Sequence, residues 1–164
     1  MKIPSTDRRA KFQRQRGNAM VEFAISSVLL TSLFVGTFQF GYAFFAYNSL
    51  VTSVRDATRY ASVRALANNN DSTVPTAFAS DVRNMAVFGT ITPPTGTQPV
   101  APGLSTANII VSVQFDAARV PRKVTVNVNN YSLDAIFRTF TFNGKPALTM
   151  PYLGSYCSGG TSCP

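Results

Sequence analysis

The spacing of hydrophobic positions changes twice along this chain. Residues 18–47 form one nearly unbroken apolar run, NAMVEFAISSVLLTSLFVGTFQFGYAFFAY, and no residue from 23 to 54 carries a charge. A secretory signal has an apolar core of only about 7–15 residues, whereas a transmembrane helix needs about 20. The run therefore predicts a membrane-spanning helix over residues 20–47. Ser26, Ser27, Thr31, Ser32, Gly36, Gln39 and Gly41 interrupt it. Small and hydroxyl residues let helices approach closely in lipid, although Gly36 and Gly41 are too far apart for a GxxxG pair.

From residue 48 the pattern becomes amphipathic. In NSLVTSVRDATRYASVRALA, Leu50, Val51, Val54, Ala57, Ala61 and Ala65 fall at helical spacing, with Arg55, Arg59 and Arg64 largely off that stripe. No breaker intervenes before Asn68-Asn69-Asn70-Asp71, which is expected to stop the helix. A helix over 18–67 would be about 75 Å long, against about 30 Å of hydrocarbon. Residues 48–67 must then protrude and offer the stripe to the chain's own head, to a neighbouring helix, or to both.

A second helix is expected over 73–88. Ser72 or Thr73 can cap it, Pro75 suits its first turn, Phe78, Val82 and Met85 share a face, and Gly89 closes it. Residues 90–107 are rich in Pro, Gly and Thr and read as loop. The period then switches to two. Residues 109–115 alternate partially, and 124–129 alternate strictly with Val inward and Thr or Asn outward. Residues 131–142, YSLDAIFRTFTF, suit a short helix or turn through Leu133, Ile136, Phe137 and Phe140, and 147–152 suit a third strand, with Pro151 favouring an edge or the strand's end. The fold class is α+β: a long N-terminal helix, and over 68–164 a small head with a short helix and an antiparallel sheet.

The net charge of +8 is mostly an N-terminal asymmetry. Residues 1–17 carry Lys2, Arg8, Arg9, Lys11, Arg14 and Arg16 against Asp7, and are expected to lack regular structure unless processed. A basic run can be a nucleic-acid arm. Beside a spanning segment it reads instead as topology, with this flank cytoplasmic and the head on the far side. Cys157 and Cys163 are the only cysteines, an even pair in a Gly/Ser-rich tail beyond the membrane. They read as a disulfide that staples the tail, or as two free thiols.

Catalytic chemistry has little to stand on. The chain has no His, so Ser-His and Cys-His relays and imidazole ligation are excluded. Asp56, Asp71, Asp81, Asp116 and Asp134 are scattered. No phosphate-binding glycine motif occurs. Residues 68–71 are the sole candidate for a calcium loop, and the cluster reads better as a helix stop. No enzyme, cofactor or metal is expected.

One carboxylate stands out. Glu22, the single glutamate, opens the apolar run five positions after Gly17, where a charge is costly in lipid. RGNAMVEFA at 16–24, FQFGYAFFAYNSL at 38–50 and VRDATRYASVRA at 54–65 together resemble a type IV prepilin, and within that superfamily the TadE-like pseudopilins (minor pilins) of the tight-adherence, or Tad, pilus. Asp56 and Thr58 stand where that pattern usually has small residues. The resemblance is specific over 14–65 and loose beyond.

The resemblance implies a leader, residues 1–17, removed between Gly17 and Asn18 by an inner-membrane prepilin peptidase. It implies assembly with other pilin subunits and the Tad platform and ATPase machinery, and a role in surface adhesion. Glu22 would neutralise the new ammonium of Asn18 in its own chain or a neighbour, acting as a register device, while a Glu that merely snorkels to the headgroups is the plainer alternative. Phe38, Gly41, Tyr42, Phe45, Val54, Ala57 and Ala61 would pack the helix. An uncleaved, signal-anchored envelope protein with a partner-binding head is the competing reading. A secreted domain released near residues 43–46 would leave the 50–65 stripe without a role.

Overall fold

The structure, a computed structural model, describes residues 7–68, 73–134 and 139–158, with side chains for 18–66, 73–134 and 139–155. It divides into two units, Met1–Gly41 and Tyr42–Pro164.

One helix, α1, runs over Asp7–Val63. It starts earlier than expected: residues 7–17 are helical where the sequence reading had no regular structure. Lys, Arg, Gln and Ala are good helix formers, and Gly17 alone does not break the run. In the first unit, Ser32 and Thr37 turn their hydroxyls back onto the carbonyls of Val28 and Leu33, at 2.8 and 2.9 Å. Each hydroxyl is satisfied within its own helix, so these residues add no unmet polar group to an apolar segment.

In the second unit, α1 buries one face. Ala46, Leu50, Val54, Ala57 and Ala61 are fully covered, and Ser53, Thr58 and Ser62 join the same stripe. The Thr58 hydroxyl donates to the Val54 carbonyl at 2.6 Å, and those of Ser53 and Ser62 reach Leu50 and Arg59. Hydroxyls bonded to their own helix backbone can be buried at little cost. The stripe is thus longer than its apolar members suggested.

The helix ends at Val63, four residues short of the expected boundary and before the Asn-rich cluster. Ala65, expected on the buried stripe, is exposed and outside the helix. Leu66–Asn68 form a short strand, β1, with Leu66 fully buried. Of the cluster proposed as the stop, residues 69–71 lie outside the described residues. The terminator is distant in sequence. Leu153 and Gly154 donate their amides to the Ser62 carbonyl (2.8 and 3.0 Å), and Leu66 donates to Ser155 (3.0 Å). The last helix carbonyls, which lack intrahelical donors, are met by the C-terminal segment.

α2 spans Thr76–Phe88. Pro75 occupies its N-cap rather than its first turn, and Gly89 closes it at φ 70°, its amide donating to the Met85 carbonyl at 3.0 Å. After a loop and a short 3-10 turn at Thr106–Asn108 come β2 (Ile109–Phe115) and β3 (Pro121–Val128), antiparallel partners. The alternation in β3 holds: Val124, Val126 and Val128 are fully buried. The connection is shorter than read, because β3 begins at Pro121. The Asp116 carboxylate organises that turn, accepting the amides of Ala118 and Val120 and pairing with Arg122 at 2.9 Å. The Val120 amide, then Arg122, hold its carboxyl below the usual range against some desolvation.

Residues 131–134 and 139–142 are strands, not the short helix or turn expected over 131–142. Tyr131–Asp134 (β4) and Thr139–Phe142 (β5) pair antiparallel, with 135–138 outside the described residues. β6, Ala147–Pro151, pairs with β3 and completes a sheet of order β2-β3-β6. Tyr156–Ser158 (β7) runs parallel to β1, Ala67 facing Cys157. Cys163 and the expected disulfide lie outside the described residues. Side chains from α1, α2 and the strands form one buried cluster.

Candidate functional site

The first unit contributes an exposed apolar helix. Within Asn18–Val63 lies an 18-residue window of mean hydropathy 1.8, none of it buried, long and apolar enough to cross a membrane. Phe23, Leu30, Leu33 and Phe34 are all at least 70% exposed. Apolar surface of that extent on a folded chain marks contact with lipid or with other proteins.

Glu22 sits exposed near the start of this surface and makes no ion pair among the described residues. Asn18, also exposed, lies four positions earlier. That spacing puts the two on one helix face, about 6 Å apart along the axis. Gly17 continues the same helix.

The residues expected to pack the helix separate into two groups. Val54, Ala57 and Ala61 are buried inside the head. Phe38 (69% exposed), Phe45 (63%) and Tyr42 (39%) are not, and nothing lies within 4 Å of where a Gly41 side chain would begin. The first group serves this chain's own fold.

Aromatic contacts in the second unit escaped the sequence reading. Tyr47 of α1 stacks on Phe142 of β5 (centroids 6.0 Å apart), and Phe142 stacks on Tyr131 of β4 (5.9 Å). The Tyr131 hydroxyl donates to the Pro102 carbonyl at 2.7 Å, and burial pushes its ionisation up. The TFTF alternation of β5 was the available signal.

The end of α1 holds a second polar junction. Arg64 pairs with Asp81 of α2 at 2.5 Å, bonds the Tyr60 hydroxyl and lies over the Tyr60 ring. A groove of about 300 Å³ beside it is lined by Asp56, Arg59, Tyr60, Val63, Met85 and Gly89. Of the acidic residues read as scattered, Asp81 and Asp116 are each held by an arginine, and Asp134 accepts from Thr139. Among the described residues no three His, Cys, Asp or Glu side chains come together to hold a metal ion.

No curated protein and no solved structure matches the chain. The family model described as TadE-like protein matches residues 17–59. That segment opens at Gly17, contains Glu22 and the whole exposed apolar stretch, and ends within the buried stripe; over it, the chain is similar to TadE-like proteins.

Proposed function

We propose that this chain is a membrane-anchored minor pilin, or pseudopilin, that joins or initiates a Tad-type pilus used in surface adhesion. One observation carries the reading: the TadE-like match begins at Gly17, just before the exposed apolar stretch of α1 that contains the lone Glu22. The basic flank keeps the N-terminus cytoplasmic, the helix is held in the inner membrane, and the head faces the far side.

In this reading a prepilin peptidase cuts between Gly17 and Asn18, the glycine letting the backbone approach the enzyme closely. Glu22 then accepts the ammonium of a neighbouring subunit's Asn18, admitting only subunits in the correct register. Phe38, Tyr42 and Phe45 pack against other subunits, with Gly41 leaving room for a close helix. The partners are other pilin subunits and the pilus assembly platform with its ATPase; no catalysis and no nucleic acid enter.

The test is the N-terminus. Protein recovered from membranes containing the peptidase should begin at Asn18 by intact mass and N-terminal sequencing, and Gly17→Leu should abolish cutting. A mature chain beginning at Met1 would overturn the pilin reading in favour of an uncleaved signal-anchored protein whose head binds a partner.

A further inference from the structure

β2 is an open edge. Among the described residues, the β2-β3-β6 sheet leaves one side of Ile109–Phe115 without a neighbouring strand. The phase of the ladder follows from two bonds, Asn129 N–H to the Asn108 carbonyl (2.7 Å) and Asp116 N–H to the Val120 carbonyl (2.9 Å). Residues 108, 110, 112, 114 and 116 therefore direct their backbone groups toward β3, and 109, 111, 113 and 115 direct theirs outward. Ile109 is already satisfied: its amide bonds Thr106 and its carbonyl accepts from Arg83 of α2 at 3.2 Å. The six outward groups of Val111, Val113 and Phe115 have no partner among the described residues.

We propose that this edge pairs with β2 of a second copy of the chain, antiparallel about a two-fold axis at Val113. In that register Val111 faces the partner's Phe115 and Val113 faces the partner's Val113, so all six outward groups are met by six hydrogen bonds. The side chains of these residues point to the core side and are only half-buried, with no strand beside them among the described residues. The second copy's Phe115, Val113 and Val111 cover that residual surface.

Charge fits the same register. Ile109–Phe115 carries no ionised group, so no like charges meet across the axis. Each end of the pair sets the Arg83 end of one edge against the Asp116 end of the other. The opposite edge of the sheet is a poorer partner. On β6 the outward positions are 147, 149 and 151, as the Val128 N–H to Pro146 carbonyl bond shows, and Pro151 has no amide to give. An uncharged edge rich in β-branched residues is the kind that natural proteins otherwise blunt. An edge of five residues makes a small interface, suited to copies already held close together, as two anchored in one membrane would be. The pairing does not depend on cleavage after Gly17.

Ser112 and Gln114 test it, because both are exposed on the other face of the sheet and Ser112 would stand opposite the partner's Gln114. The full chain in detergent is compared by sedimentation equilibrium with two variants, Ser112→Glu/Gln114→Glu and Ser112→Lys/Gln114→Glu. Both place Glu beside Lys123 of β3, so they differ only at position 112. The wild type should form a dimer, the Glu/Glu variant should dissociate about ten-fold more readily through two like-charge pairs, and the Lys/Glu variant should dimerise at least as tightly as the wild type. A wild type that stays monomeric overturns the proposal. So does a dimer equally strong in both variants, which would place the contact on the exposed face of α1. Thermal melts of both variants report whether the head remains folded.

Discussion

The Tyr152 hydroxyl donates to the Arg64 carbonyl at 2.7 Å, joining residues 88 positions apart at the point where α1 ends. The same hydroxyl lies 2.9 Å from the Ser155 carbonyl, so its single proton is set between two acceptors. Beside it, a side chain on Gly154 would run into the Arg64 carbonyl and the Tyr152 ring. The helix terminus is thus built by residues 152–155. Tyr152→Phe removes the donor and keeps the ring, and should destabilise the head by about 1 kcal/mol. Gly154→Ala should cost more, since backbone must move. Thermal or urea unfolding of both variants measures this, and an unchanged midpoint in Gly154→Ala would contradict the close approach.

Tyr131 and Tyr152 make the head sensitive to alkali. Burial raises the ionisation of both hydroxyls above the ordinary value of 10.0. A group whose folded pKa is raised contributes stability that is fully present below the unfolded pKa and is lost as pH rises through the folded one. The unfolding midpoint should therefore owe nothing to these tyrosines' titration below pH 10 and fall above it. Lysines titrate in the same range, so the informative quantity is the difference from a Tyr131→Phe/Tyr152→Phe variant. That difference should shrink as pH climbs past 10, and a constant difference would mean that the two hydroxyls ionise normally.

Local pattern was enough to find α2, β2, β3, β6 and the body of α1, whose spacing and Val alternation are written in contiguous residues, although Pro75 rather than Ser72 or Thr73 stands at the α2 N-cap. It failed where distant residues decide. The stripe through Leu50, Val54, Ala57 and Ala61 gave the buried face, but nothing near residue 63 says that 152–155 will close the helix there. At 131–134 and 139–142 the sequence misleads, because Leu133, Ile136, Phe137 and Phe140 imitate helical spacing. The competing alternation of Tyr131, Leu133, Phe140 and Phe142 prevails by pairing the strands and stacking Phe142 between Tyr47 and Tyr131. At the candidate N-terminal site, the helical placement of Asn18 and Glu22 on one face needs only residue numbers, and the roles proposed for Gly17, Asn18 and Glu22 await the tests. That Phe38 and Phe45 stay outside while Ala57 goes inside required the folded head.

This division gives opposite expectations for two substitutions on one helix. Ala57 is fully buried, and Ala57→Leu should overpack the core and destabilise the head by about 1–3 kcal/mol. Phe45 is 63% exposed, and Phe45→Ala should change head stability by no more than about 0.5 kcal/mol. If Phe45 instead packs against another subunit, the same variant should reduce recovery of the chain in sheared filaments. Stability assays on isolated protein and immunoblots of filaments separate these roles. A large loss of stability in Phe45→Ala would place that ring inside the head after all.

Glu22 is the sharper test of assembly. It is exposed, has no ion-pair partner among the described residues, and lies one helical turn from Asn18. A carboxylate in that position is costly in lipid, and in the proposed assembly the Asn18 ammonium of a neighbouring subunit would offset the cost. Glu22→Gln keeps the shape and hydrogen-bonding capacity but removes the charge, so insertion into the membrane, and the proposed cutting after Gly17, should be unaffected. Incorporation into filaments, or their initiation, should fall about ten-fold, in line with the loss of one charge pair. Fractionation of membranes and sheared filaments reads both quantities in one experiment. Normal insertion with undiminished filaments would leave Glu22 a snorkelling carboxylate with no register role, whereas failed insertion would show that its charge acts earlier, in setting topology.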